Sequence, residues 1–312
     1  MTALLALVLE RVIGYPQGLV DRIGHPVIWM GRLISLLDAR LNNRTRGRGV
    51  LALVLLLAAT ALATVPLVLA LRSIPFGWVI EAILATSLLA QKSLRDAVQA
   101  VAVALTHSLP EGRTAVSHIV GRDPQALDEA GVARAAIESL AESTSDGVIA
   151  PLFFLIVGGL PGIALYKAVN TADSMIGHKT ERHLRFGWAS ARFDDLLNLI
   201  PARLTALLIA GAAFFVRDAH PEKAWSTALA DAGKHQSPNA GWPEAAFAGA
   251  LDFRLGGPRS YDGELVDLPS FGTGRSDLGP ADIERALGLY AGVLNVATVV
   301  TAVVALVVWR LS

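Results

Sequence analysis

The 312-residue chain is 53% hydrophobic and only 17% charged, against about 25% charged in ordinary soluble domains, which points to a bilayer and excludes an ordinary soluble globule. Lys plus Arg and Asp plus Glu both number 27, so no net field draws the molecule to nucleic acid, and none is expected as a partner. With no cysteine, a disulfide framework, a thiolate metal site and a cysteine nucleophile are excluded.

The expected fold is all-α: a polytopic integral membrane protein, one membrane-embedded domain over 1–312, with several transmembrane helices, a re-entrant helical hairpin and amphipathic cytoplasmic helices. Residues 1–49 read as an N-terminal interfacial segment. Glu10 and Arg11 interrupt its apolar run, and it lacks the basic stretch and cleavage site of a signal peptide. Residues 50–90 read as a transmembrane hairpin: 50–71 is long enough, at about 1.5 Å per residue, to cross about 30 Å of hydrocarbon. Pro66 is placed to kink it, and 74–90 returns. Arg40, Arg44, Arg46 and Arg48 before the pair, and Lys92 and Arg95 after it, put both flanks in the cytoplasm.

Residues 91–147 form a polar helical region. Leu94, Val98, Val101 and Leu105 make one helical stripe; a second helix is predicted to start at Asp123-Pro124 and to end before Gly147. Residues 148–216 hold membrane segments around a polar loop, 170–198, expected to carry the active site. Gly158-Gly159-Leu160-Pro161-Gly162 breaks the stretch 148–169, and the basic loop beyond it suits the cytoplasmic side, so the segment is expected to dip into the bilayer and return. Residues 199–216 are apolar apart from Arg203. A polar loop over 217–286 and a C-terminal transmembrane helix over 287–312 complete the chain.

Glu138, Glu142 and Asp146 recur every four residues, which puts three carboxylates on one helical face. The alternative is a solvated cytoplasmic face; the apolar run after Asp146 favours a cation site. In YKAVNTADS, Tyr166, Asn170 and Asp173 can face one way, and a carboxamide with a carboxylate suits Mg²⁺. Lys167 beside them is a phosphate clamp or a side chain snorkelling to a headgroup. Asp194, Asp195 and Asn198 form DDxxN, able to hold Mg²⁺ on a phosphate, though Asp195 also suits a helix cap. Lys179, Arg182 and Arg192, near His178 and His183, suit an anion. Trp29, Trp188 and Trp242 suit a planar substrate or an interface belt. Ser237 and Asn239 lie in a tight turn before a helix whose first turn holds Glu244.

HPVIWMGRLI from His25, ESLAESTSDGVIAPLF from Glu138, YKAVNTADSMIG from Tyr166, FGWASARFDDLLNLIPARLTA from Phe186, and SPNAGWPEAAFAGAL followed by LGGPRSYDGE, in this order over nearly the whole chain, resemble the adenosylcobinamide-phosphate synthases of cobalamin biosynthesis, the CbiB or CobD family. Ser143 departs from the family pattern, which carries asparagine there. The resemblance implies a ligase joining adenosylcobyric acid, a corrinoid, to (R)-1-amino-2-propanol or its O-phosphate, with ATP as co-substrate and Mg²⁺. It also implies a bacterial inner membrane location, a site facing the cytoplasm, and other enzymes of nucleotide-loop assembly as partners; homo-oligomerisation is left open.

A carboxylate is a poor acyl donor, so an acyl phosphate is the expected intermediate. That chemistry requires metal ligands, cationic clamps and a base. The expected catalytic set is Glu142, Asp146, Lys167 and Asp173. Metal ligands are Glu142, Asp146, Asp173 and Asp194, and substrate or phosphate contacts are His25, Asn170, Lys179, Arg182, Arg192, Ser237 and Asn239. No GxxxxGK[ST] loop is present, so ATP would bind through another geometry. The competing readings are an intramembrane Mg²⁺-diphosphate prenyltransferase, an AmpE-like membrane regulatory or scaffold protein, and a transporter.

Overall fold

Long apolar runs broken by glycine and proline dictate helices interrupted at defined points, and the computed structural model bears this out. It describes residues 1–16, 18, 21–22, 24–121, 124–257, 259–261, 264–266 and 268–311. Asp123, Pro258, Asp262 and Gly263, which the sequence reading used, lie outside the described residues. The chain divides into two compact units: residues 1–90, 150–198 and 301–312 form one, and residues 91–149 and 199–300 the other.

The first unit contains α1 (Thr2–Ile13), α2 (Pro26–Leu41), α3 (Arg46–Arg72) and α4 (Gly77–Thr86). It also holds α8 (Ala150–Ile176) and α9 (Trp188–Leu197). Its core is Ile34, Ala52, Leu56, Ala168, Ala172, Ile176 and Phe186, contributed by α2, α3, α8 and the loop before α9. The expected return crossing over 74–90 is only ten residues of helix, about half a hydrocarbon thickness. It is bounded by Phe76 in the left-handed region and by Thr86 and Ser87, whose hydroxyls donate back to the carbonyls of Ile83 and Leu84. Such back-bonding competes with continuation of the helix.

The second unit contains α5 (Gln91–His107), α6 (Leu109–Ser117), α7 (Glu129–Ser143) and a π-helical turn at Thr144–Ile149. After the chain returns come α10 (Leu199–Ala213), α11 (Pro221–Asp231), α12 (Gly241–Leu251) and most of α13 (Pro280–Leu311). The predicted stripe of α5 is buried at all four positions. Helix α7 begins six residues beyond Asp123, because Asp128 is the residue whose carboxylate accepts the Gly131 N–H at 2.7 Å. In α12, small residues admit close approach: a Cβ on Gly249 would lie 2.3 Å from the Lys223 carbonyl oxygen. Short antiparallel pairs, β1 (Leu255–Gly256) with β4 (Ser270–Phe271) and β2 (Arg259–Tyr261) with β3 (Glu264–Val266), form two separate two-stranded sheets, the only ones among the described residues.

Three described helical runs are long and apolar enough to cross a bilayer: Arg46–Arg72, Glu129–Ile176 and Pro280–Leu311. A fourth arises if α9 and α10 together form one broken span. The 48-residue run Glu129–Ile176 does not stay straight. Phe154 and Tyr166 would stand about 18 Å apart along a continuous helix, yet their rings stack with centroids 5.0 Å apart. The chain therefore reverses between them, at Gly159 (φ 60°, ψ −154°), and α8 is a helical hairpin with arms 150–158 and 160–176. A Cβ on Gly162 would meet the Phe154 carbonyl oxygen at 2.4 Å, so the crossing of the arms requires glycine there. This is the hairpin the sequence predicts from its Gly-Pro cluster.

Candidate functional site

Five polar side chains, on the second arm of α8, on α9 and at the C-cap of α9, are joined in one network. Tyr166 Oη donates to Asn198 Oδ1 at 2.9 Å, and Asn198 Nδ2 donates to Asp194 Oδ2 at 2.9 Å. From the other side, Lys167 Nζ donates to Asn170 Oδ1 at 3.1 Å, and Asn170 Nδ2 donates to Asp194 Oδ1 at 3.4 Å. A lysine ammonium only donates and a carboxylate only accepts, so each carboxamide has one admissible orientation. Two donor chains thus converge on Asp194, one on each of its oxygens. Tyr166, Asn198 and Asp194 are buried, while Lys167 and Asn170 are half-buried.

Sequence periodicity sets this up. Tyr166, Asn170 and Asp173 share a face of the arm, and Asp194 and Asn198 are one turn apart on α9. The connection 177–187 opens and closes on glycines because both ends run against the backbone of the arm. A Cβ on Gly177 would overlap the Asp173 carboxylate, and one on Gly187 the Ile176 carbonyl. Asp173 lies within electrostatic reach of Asp194, Asp195 and His178. No hydrogen bond reaches its carboxylate among the described residues.

His25, the N-cap of α2, borders the same group. Its Nδ1 accepts the Val27 N–H at 3.2 Å, and its ring meets Tyr15 edge-on at 4.6 Å. Burial, then the nearby Lys167 charge, hold its imidazole below the ordinary value of 6.5. It is therefore neutral at neutral pH, and because Nδ1 is an acceptor its proton resides on Nε2. At the other end of α2, Asp38 ties down the connection: Arg182 Nη2 donates to Oδ2 at 2.6 Å, Asn42 Nδ2 donates to Oδ1 at 2.7 Å, and His183 Nε2 lies 3.3 Å from Oδ1. Arg192 stands 3.6 Å from Asp195, and Lys179 is exposed within electrostatic reach of the same carboxylate.

The remaining expected residues belong to the second unit. The predicted common face of Glu138, Glu142 and Asp146 is broken: the helix passes into the π turn at Thr144 instead of ending before Gly147, and π geometry shifts Asp146 off the α-helical repeat. Glu138 is buried and accepts the Gly256 N–H at 2.7 Å, whereas Glu142 is exposed. Ser237 Oγ accepts the N–H groups of Asn239 and Ala240 at 3.2 and 3.3 Å, which makes it a turn-forming residue before α12. Asn239 is buried in that turn. Trp188 lies under the Arg46 guanidinium and Trp242 under that of Arg203, each at 4.8 Å; both faces are occupied by protein cations, and Trp29 is exposed.

No group of three or more His, Asp or Glu side chains is arranged to hold a metal among the described residues. This does not disfavour Mg²⁺, which takes one or two carboxylates and completes its shell with phosphate oxygens and water. Asp173 and Asp194, flanked by the Asn170 carboxamide, are a donor set of that kind. Asn198, offered by the DDxxN pattern for Mg²⁺, bonds both Asp194 and Tyr166, the latter on the face of Asn170. Asp38 is not legible in the sequence, and Glu81 reads there only as an acid within a span that suits a transporter, because their partners Arg182 and Leu160 are distant in the chain.

The CobD/Cbib protein family model matches residues 3–290. A protein of Sinorhizobium sp, named a cobalamin biosynthesis protein CobD, is 50% identical over 306 residues, covering 94% of each chain. One of Rhodobacter capsulatus with the same name is 49% identical over 312 residues, covering 98% of this chain and 97% of its own. One of Brucella anthropi, also so named, is 48% identical over 304 residues, covering 94% and 93%. No solved structure matches the chain. With the match extending across the hairpin, the Asp194 network and the second unit alike, this chain belongs to the CobD/Cbib family.

Proposed function

We propose that the protein acts in cobalamin biosynthesis as an ATP- and Mg²⁺-dependent ligase. It joins the free carboxylate of adenosylcobyric acid to (R)-1-amino-2-propanol or its O-phosphate, at a site facing the cytoplasm in the inner membrane. The observation that carries this reading is the convergence of Lys167–Asn170 and Tyr166–Asn198 on Asp194, beside Asp173, in a family whose named members serve cobalamin biosynthesis.

In the proposed reaction a substrate carboxylate oxygen attacks the γ-phosphorus, forming a C–O–P link and releasing ADP. The amine then attacks the carbonyl carbon, loses a proton, and expels inorganic phosphate. The Lys167 charge offsets that of a transferring phosphoryl group. His25 offers Nε2–H to a substrate oxygen, and Lys179 is an exposed cation for a phosphate. Asp173 and Asp194 are the metal ligands; Mg²⁺ would neutralise phosphoryl oxygens there. Glu142 and Asp146 are a second acidic pair, whose part Asp146→Asn tests.

Purified protein incubated with adenosylcobyric acid, ATP, Mg²⁺ and either amine donor should yield the amide by mass analysis. With oxygen-18 in the substrate carboxylate, the label should appear in inorganic phosphate; label in AMP would replace the acyl phosphate by an adenylate. No amide with either donor refutes the ligase reading.

A further inference from the structure

Glu81 is the acid of α4, a ten-residue and otherwise apolar helix. Its Oε1 accepts the backbone N–H of Leu160 at 2.9 Å, at the point where the hairpin of α8 turns. The first N–H groups of the second arm have no intrahelical acceptor, because the chain has just reversed. In apolar surroundings such a donor needs a partner. Gly159 is fixed by the same contact: its φ of 60° favours glycine, and a Cβ there would lie 2.7 Å from Glu81 Oε1. A cavity of about 260 Å³ borders Glu81 and Gly159, with Thr2, Leu155 and Thr301 also on its wall, so an untethered tip has room to shift.

We propose that Glu81 is a positioning residue: it fixes the depth and rotation of the hairpin tip, and thereby the register at which Lys167, Asn170 and Asp173 meet Asp194. Leu160 and Lys167 are on one unbroken arm, about two turns apart, so a displacement at the tip is carried to the site. The Asn170–Asp194 bond, at 3.4 Å, is already at the long limit of a hydrogen bond, and a small slide of the arm breaks it. The proposal rests on the ligase reading only where activity is used as a readout.

The test compares Glu81→Gln, Glu81→Leu and Gly159→Ala with the wild-type protein in lipid nanodiscs. Amide exchange at Leu160 reports the anchor, and kcat and KM for amide formation report its consequence. Glu81→Leu and Gly159→Ala should each speed Leu160 exchange at least about tenfold and lower kcat by a similar factor, with KM changed less. Glu81→Gln keeps an acceptor oxygen and should stay within about threefold on both. Unchanged exchange in Glu81→Leu and Gly159→Ala would overturn the anchor, as would loss of turnover in Glu81→Gln with Leu160 still protected. Should Glu81→Leu fail to fold, Gly159→Ala against Glu81→Gln decides the matter. A wild-type protein without turnover refutes the ligase reading, and exchange alone then decides the anchor.

Discussion

The loop-closing acids of the second unit and the Asp194 network of the first hold their carboxylates in different ways. In residues 91–149 and 199–300, Glu138 accepts the Gly256 N–H at 2.7 Å, Asp231 the Gly272 N–H at 2.8 Å, and Asp282 the Gly279 N–H at 3.0 Å. Each closes a loop by giving a backbone donor its acceptor, Asp231 with Lys234 and Asp282 with Arg275 and Arg285 paired beside it. In the other unit the Asp194 carboxylate is met by two side-chain amides, one backed by an ammonium and one by a phenol, with Asp173 nearby. A carboxylate holding main chain is fixed by the fold. One held by side chains can exchange those partners for a ligand's, and like charges beside it give a cation something to offset.

The largest effect that would break this comparison belongs to the acids of the first unit. Asp173→Asn and Asp194→Asn should each lower amide formation by a hundredfold or more, about 3 kcal/mol of transition-state stabilisation, while the protein stays folded in membranes. Turnover within about threefold of wild type in both would remove the site from this network. Asp146→Asn, assayed alongside, tells whether the π turn shares in the chemistry.

Next comes the loop-closing class. Glu138→Ala leaves the Gly256 N–H without its acceptor and should cost about 1–3 kcal/mol, read as a lower midpoint of thermal unfolding. Turnover per folded molecule should stay near wild type. An inactive Glu138→Ala of undiminished stability would erase the distinction between the two classes. Tyr166→Phe removes one hydroxyl from the Asp194 network and should lower turnover several-fold, corresponding to about 1 kcal/mol. A Tyr166→Phe enzyme as inactive as Asp194→Asn would instead put the phenol in the reaction.

The smallest effect concerns Asp38, a side-chain-held acid at the end of α2. Burial alone would raise its carboxyl, but hydrogen bonds from Asn42 and Arg182, the nearby His183 and the Arg182 charge outweigh it and hold the group below the ordinary 3.8. Its contribution is therefore present above about pH 4 and fades as pH falls through the lower folded value. Asp38→Asn should loosen the connection 177–187 by less than about 1 kcal/mol at pH 7, measured as faster proteolysis there. The difference from wild type should shrink as the pH is taken below 4, and a difference that grows under acid would contradict this balance of charges.

Much of this was legible in the sequence. The apolar runs at 50–71 and 287–309 lie inside helices Arg46–Arg72 and Pro280–Leu311, because length and hydropathy alone decide what a bilayer admits. The Gly158–Gly162 cluster marked the reversal, since glycine admits a positive φ and Pro161 suits the first turn of a new helical arm. Helical spacing put Tyr166, Asn170 and Asp173 on one face. Where the structure departs from the sequence expectation, either local backbone geometry or a contact from far along the chain decided the outcome. The helix expected over 74–90 is cut to ten residues, and Gly77 at its start packs against the Leu71 carbonyl. The acidic stripe 138–142–146 is broken by a π turn and by Gly256, 118 residues from Glu138.

Local periodicity determined which residues share a helical face, because that depends only on the fixed rise and turn of the helix. Tertiary structure decided which acids meet backbone and which meet side chains. Glu81 reaches Leu160 across 79 residues, and Asp38 reaches Arg182 across 144. No spacing rule within one element encodes such pairs; they exist only once the hairpin has folded back and the loop has closed.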